Sequence, residues 1–296
     1  MEHTMSFEHM DLTQRFIFDD ADIRGEYVRL DHSLTELFKL HAYAPGVKIL
    51  LGEMLSAAAL LTATLKFEGK LILQARGEGQ IPLIMAESTH DRKLRGIARG
   101  AEHATSQTFT ELMSEGQLAI TIDPIGGNRY QGIVTLEADS LAKSLDAYFE
   151  QSEQLGTRLW LACDGERAAG LLLQQLPTEV TKDHASRAQQ WEHVTTLADT
   201  LKDDELLQLD SDTLLYRLFH EDEVRLFDPE PAEFSCSCSR ERSFGAIASL
   251  ARDDIQSLLQ EMGEITVDCE FCNMQYRFDH SDFSELELQP DAPVQH

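Results

Sequence analysis

Four of the five cysteines fall in the last quarter of the 296-residue chain, as Cys236-Ser-Cys238 and Cys269-Glu-Phe-Cys272. Two close pairs separated by a foldable insert supply what one tetrahedral ion requires: two thiolates from each tight turn. Zinc is the natural occupant of four sulfurs, being borderline-soft and without a geometric preference of its own. The C-x-C half adds a second chemistry. Two sulfurs one residue apart both reach a metal, and they are also close enough to oxidise to a small strained ring. The spacing therefore predicts either a permanent structural zinc site or one that holds zinc when reduced and releases it when oxidised. The loss would be large: apparent zinc binding is worth about 10–16 kcal/mol, against a usual domain stability of about 5–15 kcal/mol.

Other reactive residues fit quieter roles. Cys163, in Leu-Trp-Leu-Ala-Cys-Asp, lies in a strand-like run and reads as buried filler. His220 and His280 read as solvated surface residues, since four sulfurs already complete a metal's ligand set. Ser140-Leu-Ala-Lys143 matches the S-x-x-K of acylating enzymes, but its partner motifs are missing and a serine opening an amphipathic helix is usually an N-cap. Gly77-Glu-Gly79 is a fragment of a phosphate loop, and His220-Glu-Asp-Glu-Val lacks a zincin's second histidine. With no motif for hydrolysis, phosphoryl transfer or dinucleotide binding, no catalytic residue is assigned and an enzyme is not expected.

The elements that must position the cysteines divide the chain into three regions and a tail. Residues 1–177 mix helix and strand signals. Leu51, Met54, Leu55, Ala58, Leu61 and Leu65 recur at helical spacing, and strand-like runs follow over 69–75, 81–86, 117–122, 132–136, 158–162 and 170–175. Gly126-Gly127-Asn128 reads as a hairpin turn, and strands joined by short turns predict an α+β domain with an antiparallel sheet. Residues 178–231 hold fourteen acidic and five basic residues, with Trp191, Val194, Leu197 and Leu201, then Leu214, Leu215 and Leu218, at helical spacing. Short acidic helices of this kind are marginal alone and need a neighbour to cover their apolar face, which either flanking domain could supply. Asp203, Asp204 and Asp212 sit where N-caps would fall. Residues 232–288 form a small domain around the cysteines. There Ile255, Leu258, Leu259 and Met262 make one helix face, opened near Asp253 or Asp254 and closed by Gly263, and a strand, a metal-binding turn and a strand follow. Residues 289–296 are a tail.

At these residues the chain resembles the heat-shock protein 33 family of bacterial redox-regulated holdase chaperones. The likeness rests on Phe-Ser-Cys236-Ser-Cys238-Ser-Arg-Glu-Arg242 and Val-Asp-Cys269-Glu-Phe-Cys272-Asn-Met-Gln-Tyr276. In the body it rests on Leu-Leu-Thr-Ala-Thr-Leu-Lys66-Phe, Tyr130-Gln-Gly-Ile-Val, Ser152-Glu-Gln-Leu and Gly170-Leu-Leu-Leu-Gln-Gln-Leu-Pro177. One departure is Asn273, where such turns often carry Gly; Asn also tolerates left-handed geometry. The resemblance implies an N-terminal mixed domain, a helical linker and a C-terminal zinc domain. It further implies one zinc ion per reduced chain, disulfides Cys236–Cys238 and Cys269–Cys272 on oxidation, and ATP-independent binding of unfolding proteins. A homodimer when oxidised and hand-over to an ATP-driven refolding chaperone belong to the same implication.

Charge discriminates among the alternatives. Fifty-two acidic against 25 basic residues give a formal net charge of −27, which repels phosphate backbones and anionic lipid, so neither nucleic acid nor membrane is an expected partner. A zinc-ribbon nucleic-acid module would also place Lys and Arg around the cysteines, whereas residues 232–288 carry twelve acidic and four basic residues. A thiol oxidoreductase built on Cys269 and Cys272 would need a βαβ context. The first ten residues lack the basic and apolar runs of a secretory leader, so a reducing cytoplasmic location is expected.

Overall fold

Residues 45–64 carry only two charges, Lys48 and Glu53, and are predominantly apolar on every side, so the helix they form has to be surrounded. In the computed structural model, which describes residues 11–152 and 155–283, two sheets surround it. The chain divides into two compact units between Ser235 and Cys236. The tail 289–296 and residues 284–288 lie outside the described residues, as do Glu153 and Gln154.

In the first unit the order begins β1 (Leu12–Phe18), β2 (Ile23–Leu30), α1 (His32–Leu40) and α2 (Pro45–Thr64). A meander of β3 (Gly69–Arg76), β4 (Leu83–Thr89) and β5 (Lys93–Arg99) follows, then α3 (Phe109–Leu112), β6 (Gln117–Pro124) and β7 (Tyr130–Thr135). After α4 (Leu141–Ser152) come β8 (Thr157–Cys163) and β9 (Ala168–Gln175), then α5 (His184–Ala198), α6 (Asp203–Gln208) and α7 (Ser211–Phe219). Short strands β10 (Val224–Leu226), β11 (Glu230–Pro231) and β12 (Glu233–Phe234) end the unit.

One sheet has the order β10-β1-β2-β9-β8, with β11 also on β1; the other runs β12-β5-β4-β3-β6-β7. Every pairing is antiparallel except β12 on β5. This is the expected α+β class. Glycines bring α2 close to both sheets: a Cβ on Gly96 would meet the Leu51 side chain at 2.9 Å, and one on Gly170 would meet Leu60 at 2.7 Å. Among the described residues α2 alone is long and apolar enough to cross a membrane, yet most of it is buried inside the fold.

The β1–β2–β9 sheet is covered on both faces. Val28 and Leu172 face α2, while their neighbours Tyr27, Leu171 and Leu173 pack with Val194, Leu206, Leu214 and Phe219 of α5, α6 and α7. That explains the unbroken Leu171-Leu172-Leu173 run, since a strand buried twice needs no alternation. The apolar stripe of residues 178–231 thus lies on the first unit's sheet. Its entry is pinned by Asp22, a buried carboxylate that accepts from the backbone N–H groups of Glu179, Val180 and Thr181 and pairs with Arg187 at 2.5 Å. The expected helix caps shift by one or more positions. Asp183 caps α5 and Asp210 caps α7, each accepting from a backbone N–H at 2.8 Å, while Asp203, Asp204 and Asp212 lie in first turns, where their charge is favoured by the positive end of the helix dipole.

The second unit contains α8 (Arg240–Ala248), α9 (Arg252–Met262) and an antiparallel hairpin of β13 (Ile265–Asp268) and β14 (Gln275–Phe278), with a 3₁₀ turn over His280–Phe283. Its core is Ile247, Ile255, Leu259, Ile265, Phe278 and Phe283. Gly263 closes α9 with φ of 78°, as the sequence predicts. Met262 departs from expectation: it is 67% exposed, because the buried stripe of α9 is narrower than its apolar residues.

Candidate metal centre

The β13–β14 register places Asp268 opposite Gln275, so residues 269–274 form the connecting loop and carry Cys269 and Cys272 at its tip. Cys269 N–H donates to the Met274 carbonyl at 2.9 Å, and Asn273 N–H donates back to the Cys269 carbonyl at 2.7 Å. The loop turns at Asn273, whose φ of 57° is a left-handed conformation that Asn adopts more readily than most residues. Cys236 and Cys238 precede α8, whose N-cap Ser239 accepts from Arg242 N–H at 3.2 Å. Arg242 also donates to the carbonyl and hydroxyl of Ser237 at 2.7 and 2.9 Å, fixing the residue between the two sulfurs. Arg240 lies over the Phe278 ring at 4.4 Å and pairs with Asp282 at 2.6 Å, tying α8 to β14.

All four Sγ atoms lie within 4.8 Å of one another. Cys236 approaches Cys269 to 3.6 Å and Cys238 approaches Cys272 to 3.4 Å, with all four as free thiols. Tetrahedral bonds of about 2.3 Å to sulfur would set such edges at about 3.8 Å, so the donor set fits a metal ion. Electrostatics point the same way. Burial pushes the Cys236 and Cys272 thiols up. Burial also raises Cys238, but the hydroxyl of Tyr276, donating to its Sγ at 3.2 Å, and the neighbouring thiols outweigh it and hold Cys238 below the ordinary thiol value. That bond pushes the Tyr276 hydroxyl up to about 12, keeping it a donor. Four sulfurs this close cannot all be thiolates without a cation among them.

The sequence profile of the Hsp33 protein family matches residues 11–279. The chain belongs to the Hsp33 family. Its relatives include proteins named 33 kDa chaperonin from Pseudomonas paraeruginosa, 54% identical over 94% of this chain and 95% of that one, and from Pseudomonas syringae, 54% identical over 95% and 94%. A solved structure of the 33 kDa chaperonin of Thermotoga maritima shares the fold, with a TM-score of 0.79 at 23% identity, covering 94% of this chain and 98% of that one.

Within this Hsp33 chain the remaining candidates stay apart from the cluster. Cys163 belongs to the first unit, packed against Gly52, where burial pushes its thiol up to about 12 and leaves it a poor nucleophile. His220 and His280 are exposed. Ser140 Oγ accepts from Lys143 N–H at 3.3 Å, as an N-cap does, and the Lys143 ammonium pairs with Asp139. Sequence reasoning overlooked Tyr276 and Arg242 as supports of the cysteine turns. Their positions beside the cysteines were the available signal, because sulfur ligands need donors and a braced backbone.

Proposed function

We propose that this chaperone-family chain is an ATP-independent holdase whose client binding is switched by the redox state of Cys236, Cys238, Cys269 and Cys272. The observation carrying the reading is four Sγ atoms within 4.8 Å in a unit whose buried core, among its described residues, is six side chains. Reduced, the four cysteines hold one zinc ion, which when bound keeps every sulfur a thiolate and ties the C-x-C turn to the hairpin. Thiolate is the form that peroxide attacks. One sulfur of each neighbouring pair takes an oxygen from peroxide, releasing hydroxide, and its partner thiolate displaces a second hydroxide to close the disulfide. Cys236–Cys238 and Cys269–Cys272 result, and no thiolate donor set remains. The shortest reduced contacts cross between the turns, so pairing within each turn rests on the small loops that neighbours close as the unit unfolds.

A unit with so small a core does not survive losing that cross-link. Ser235, one residue before the first cysteine, is held by its N–H on the Leu94 carbonyl, and the two- and three-residue strands β12, β11 and β10 lead back from it to α7. With their downstream anchor lost, these strands fray, and the acidic segment 178–231 lifts from its sheet. Departure of α5, α6 and α7 uncovers Phe16, Phe18, Tyr27, Leu171 and Leu173 for unfolding clients. Oxidised copies pair through apolar surface of the same kind, the acidic residues keep the complex soluble, and clients pass to an ATP-dependent refolding chaperone in the cytoplasm. The test is light scattering of a chemically unfolded client. Oxidised protein should suppress aggregation and reduced, zinc-loaded protein should not; equal suppression by both would defeat the switch.

A further inference from the structure

Among the described residues, three of the four outer edges of the first unit's two sheets are closed or blunted. The β1 edge carries β10 and β11, and the β5 edge carries β12, all of two or three residues and bearing Arg225, Glu230 or Glu233. On β8 the outward Leu159 N–H donates to the Asp146 carboxylate at 2.9 Å, and Arg158 stands beside it. Short strands, charges and side-chain caps are how proteins keep a sheet from templating another chain. β7 is the exception: Tyr130-Gln-Gly-Ile-Val-Thr135 has six residues, no charge and no proline.

The register says which of its backbone groups face out. Leu136 N–H donates to the Gly116 carbonyl at 2.9 Å, and Gln117 stands opposite Thr135. Bonded and non-bonded pairs alternate in an antiparallel ladder, so Val134, Gly132 and Tyr130 bond to β6, whereas Thr135, Ile133 and Gln131 turn their N–H and C=O outward. The far side of β6 agrees. Ile125 N–H donates to Glu68, which assigns the odd residues of β6 to β3 and the even ones to β7. Gln131, Ile133 and Thr135 are all exposed, Ile133 by 55%, and no backbone partner stands at these positions among the described residues. At the start of the strand a cavity of about 250 Å³ is lined by Tyr130, Tyr148, Phe149, Leu65 and Ile122, room for one apolar side chain. Just past its end stands the exposed Glu137.

We propose that β7 takes up an extended, apolar-to-basic segment of an unfolded polypeptide as a seventh strand, through the outward groups of Gln131, Ile133 and Thr135. Main-chain bonds give sequence-tolerant affinity, the Tyr130 cavity takes an apolar side chain, and Glu137 favours a cation near the end. Glu137 beside the edge, in a chain of net charge −27, attracts a basic segment and repels its own counterpart at this strand, which favours an unfolded basic client over β7-to-β7 pairing. The inference rests on the holdase reading and adds a second contact to the apolar face described above, so that a client held at both gains by avidity.

The test uses the full-length oxidised protein and, as probe, lysozyme reduced and capped with iodoacetamide, an unfolded basic chain. Binding should slow amide exchange at Gln131, Ile133 and Thr135 and leave the already bonded Gly132 and Val134 unchanged, a parity that general stabilisation cannot produce. Ile133→Lys, a charge on the exposed edge, should weaken binding about tenfold. Thr135→Pro removes an outward N–H, which edge strands tolerate, and should weaken it by a similar factor of about ten. Ile125→Lys, more exposed at 73% but with its N–H already bonded to the Glu68 carbonyl, should bind as the parent does. Unchanged binding by both edge variants, or slowing at all five amides, overturns the proposal and leaves the holdase reading standing. Slowing that follows protein concentration without lysozyme assigns the edge to a second copy and also overturns it. No binding of lysozyme by the oxidised parent overturns both.

Discussion

The five cysteines should separate by what their loss does to metal binding. Cys269→Ser removes one of four donors and should lower zinc affinity sharply in a chelator competition, whereas Cys163→Ser should leave metal content unchanged. A full complement in the Cys269 variant at limiting zinc contradicts the ligand assignment. Tyr276→Phe removes a hydroxyl that donates to Cys238 and should cost about tenfold in zinc affinity, as loss of a ligand's supporting partner does. On oxidation Cys269–Cys272 should form before Cys236–Cys238, because two intervening residues reach the Cα spacing a disulfide prefers with less strain. Peptide mapping that finds Cys238 joined mainly to Cys269 contradicts that order. The cysteine cluster was legible in the sequence because sulfur pairs at these spacings have few other uses. Tyr276 was not, since an aromatic alternating along a strand reads first as core.

At the scale of elements, the segment 178–231 depends on groups that titrate. Asp22 is raised by burial, but three backbone N–H groups and Arg187 outweigh that and hold it below the usual carboxylate value, so its anchoring of the segment is present above pH 3.8 and lost as pH falls below. Glu53 on α2 is pushed up to about 8, first by burial and then by Asp203 of α6, and burial pushes Asp146 up to about 6. A carboxyl raised in the folded state binds its proton longer than the unfolded chain does, so its contribution declines as pH climbs from 4.5 towards 8. Amide protection of residues 178–231, corrected for intrinsic exchange, should therefore peak near pH 4.5 and fall towards pH 8; a flat profile contradicts these assignments. Leu201→Asp places a charge against the apolar cluster beneath α5 and α7, at a cost of about 2–5 kcal/mol. It should allow client holding in the reduced protein with zinc retained, read by scattering and metal content together. Periodicity located α2 and most strands because each has one dominant environment. β1 was missed because its buried positions include the polar Thr13 and Gln14 while the apolar Ile17 lies on the less buried face, which blurs the alternation, and β5 because Lys93, Arg95 and Arg99 mask the apolar positions between them. The caps were misplaced because Asp210 and Asp212 look alike in sequence, and only backbone geometry tells a cap from a first-turn residue.

For the whole molecule, composition and spacing reached two regions of different physics: a well-buried α+β body, and a small cysteine-rich unit with too little core to stand alone. They left open what covers the apolar stripe of residues 178–231, because either flanking region offered apolar surface. The long-range pairing of β1 with β10 and β11 cannot be read from local pattern. In the proposed switch one event joins the two regions, the lifting of that acidic segment when the cysteines oxidise. The most direct measurement is hydrogen exchange of the full-length protein, reduced with zinc and then oxidised, followed residue by residue. Residues 178–231 should lose protection on oxidation together with the cysteine unit, while α2 and the sheet strands β3, β4 and β6 keep theirs. Full protection of residues 178–231 in oxidised protein that suppresses client aggregation would contradict the account.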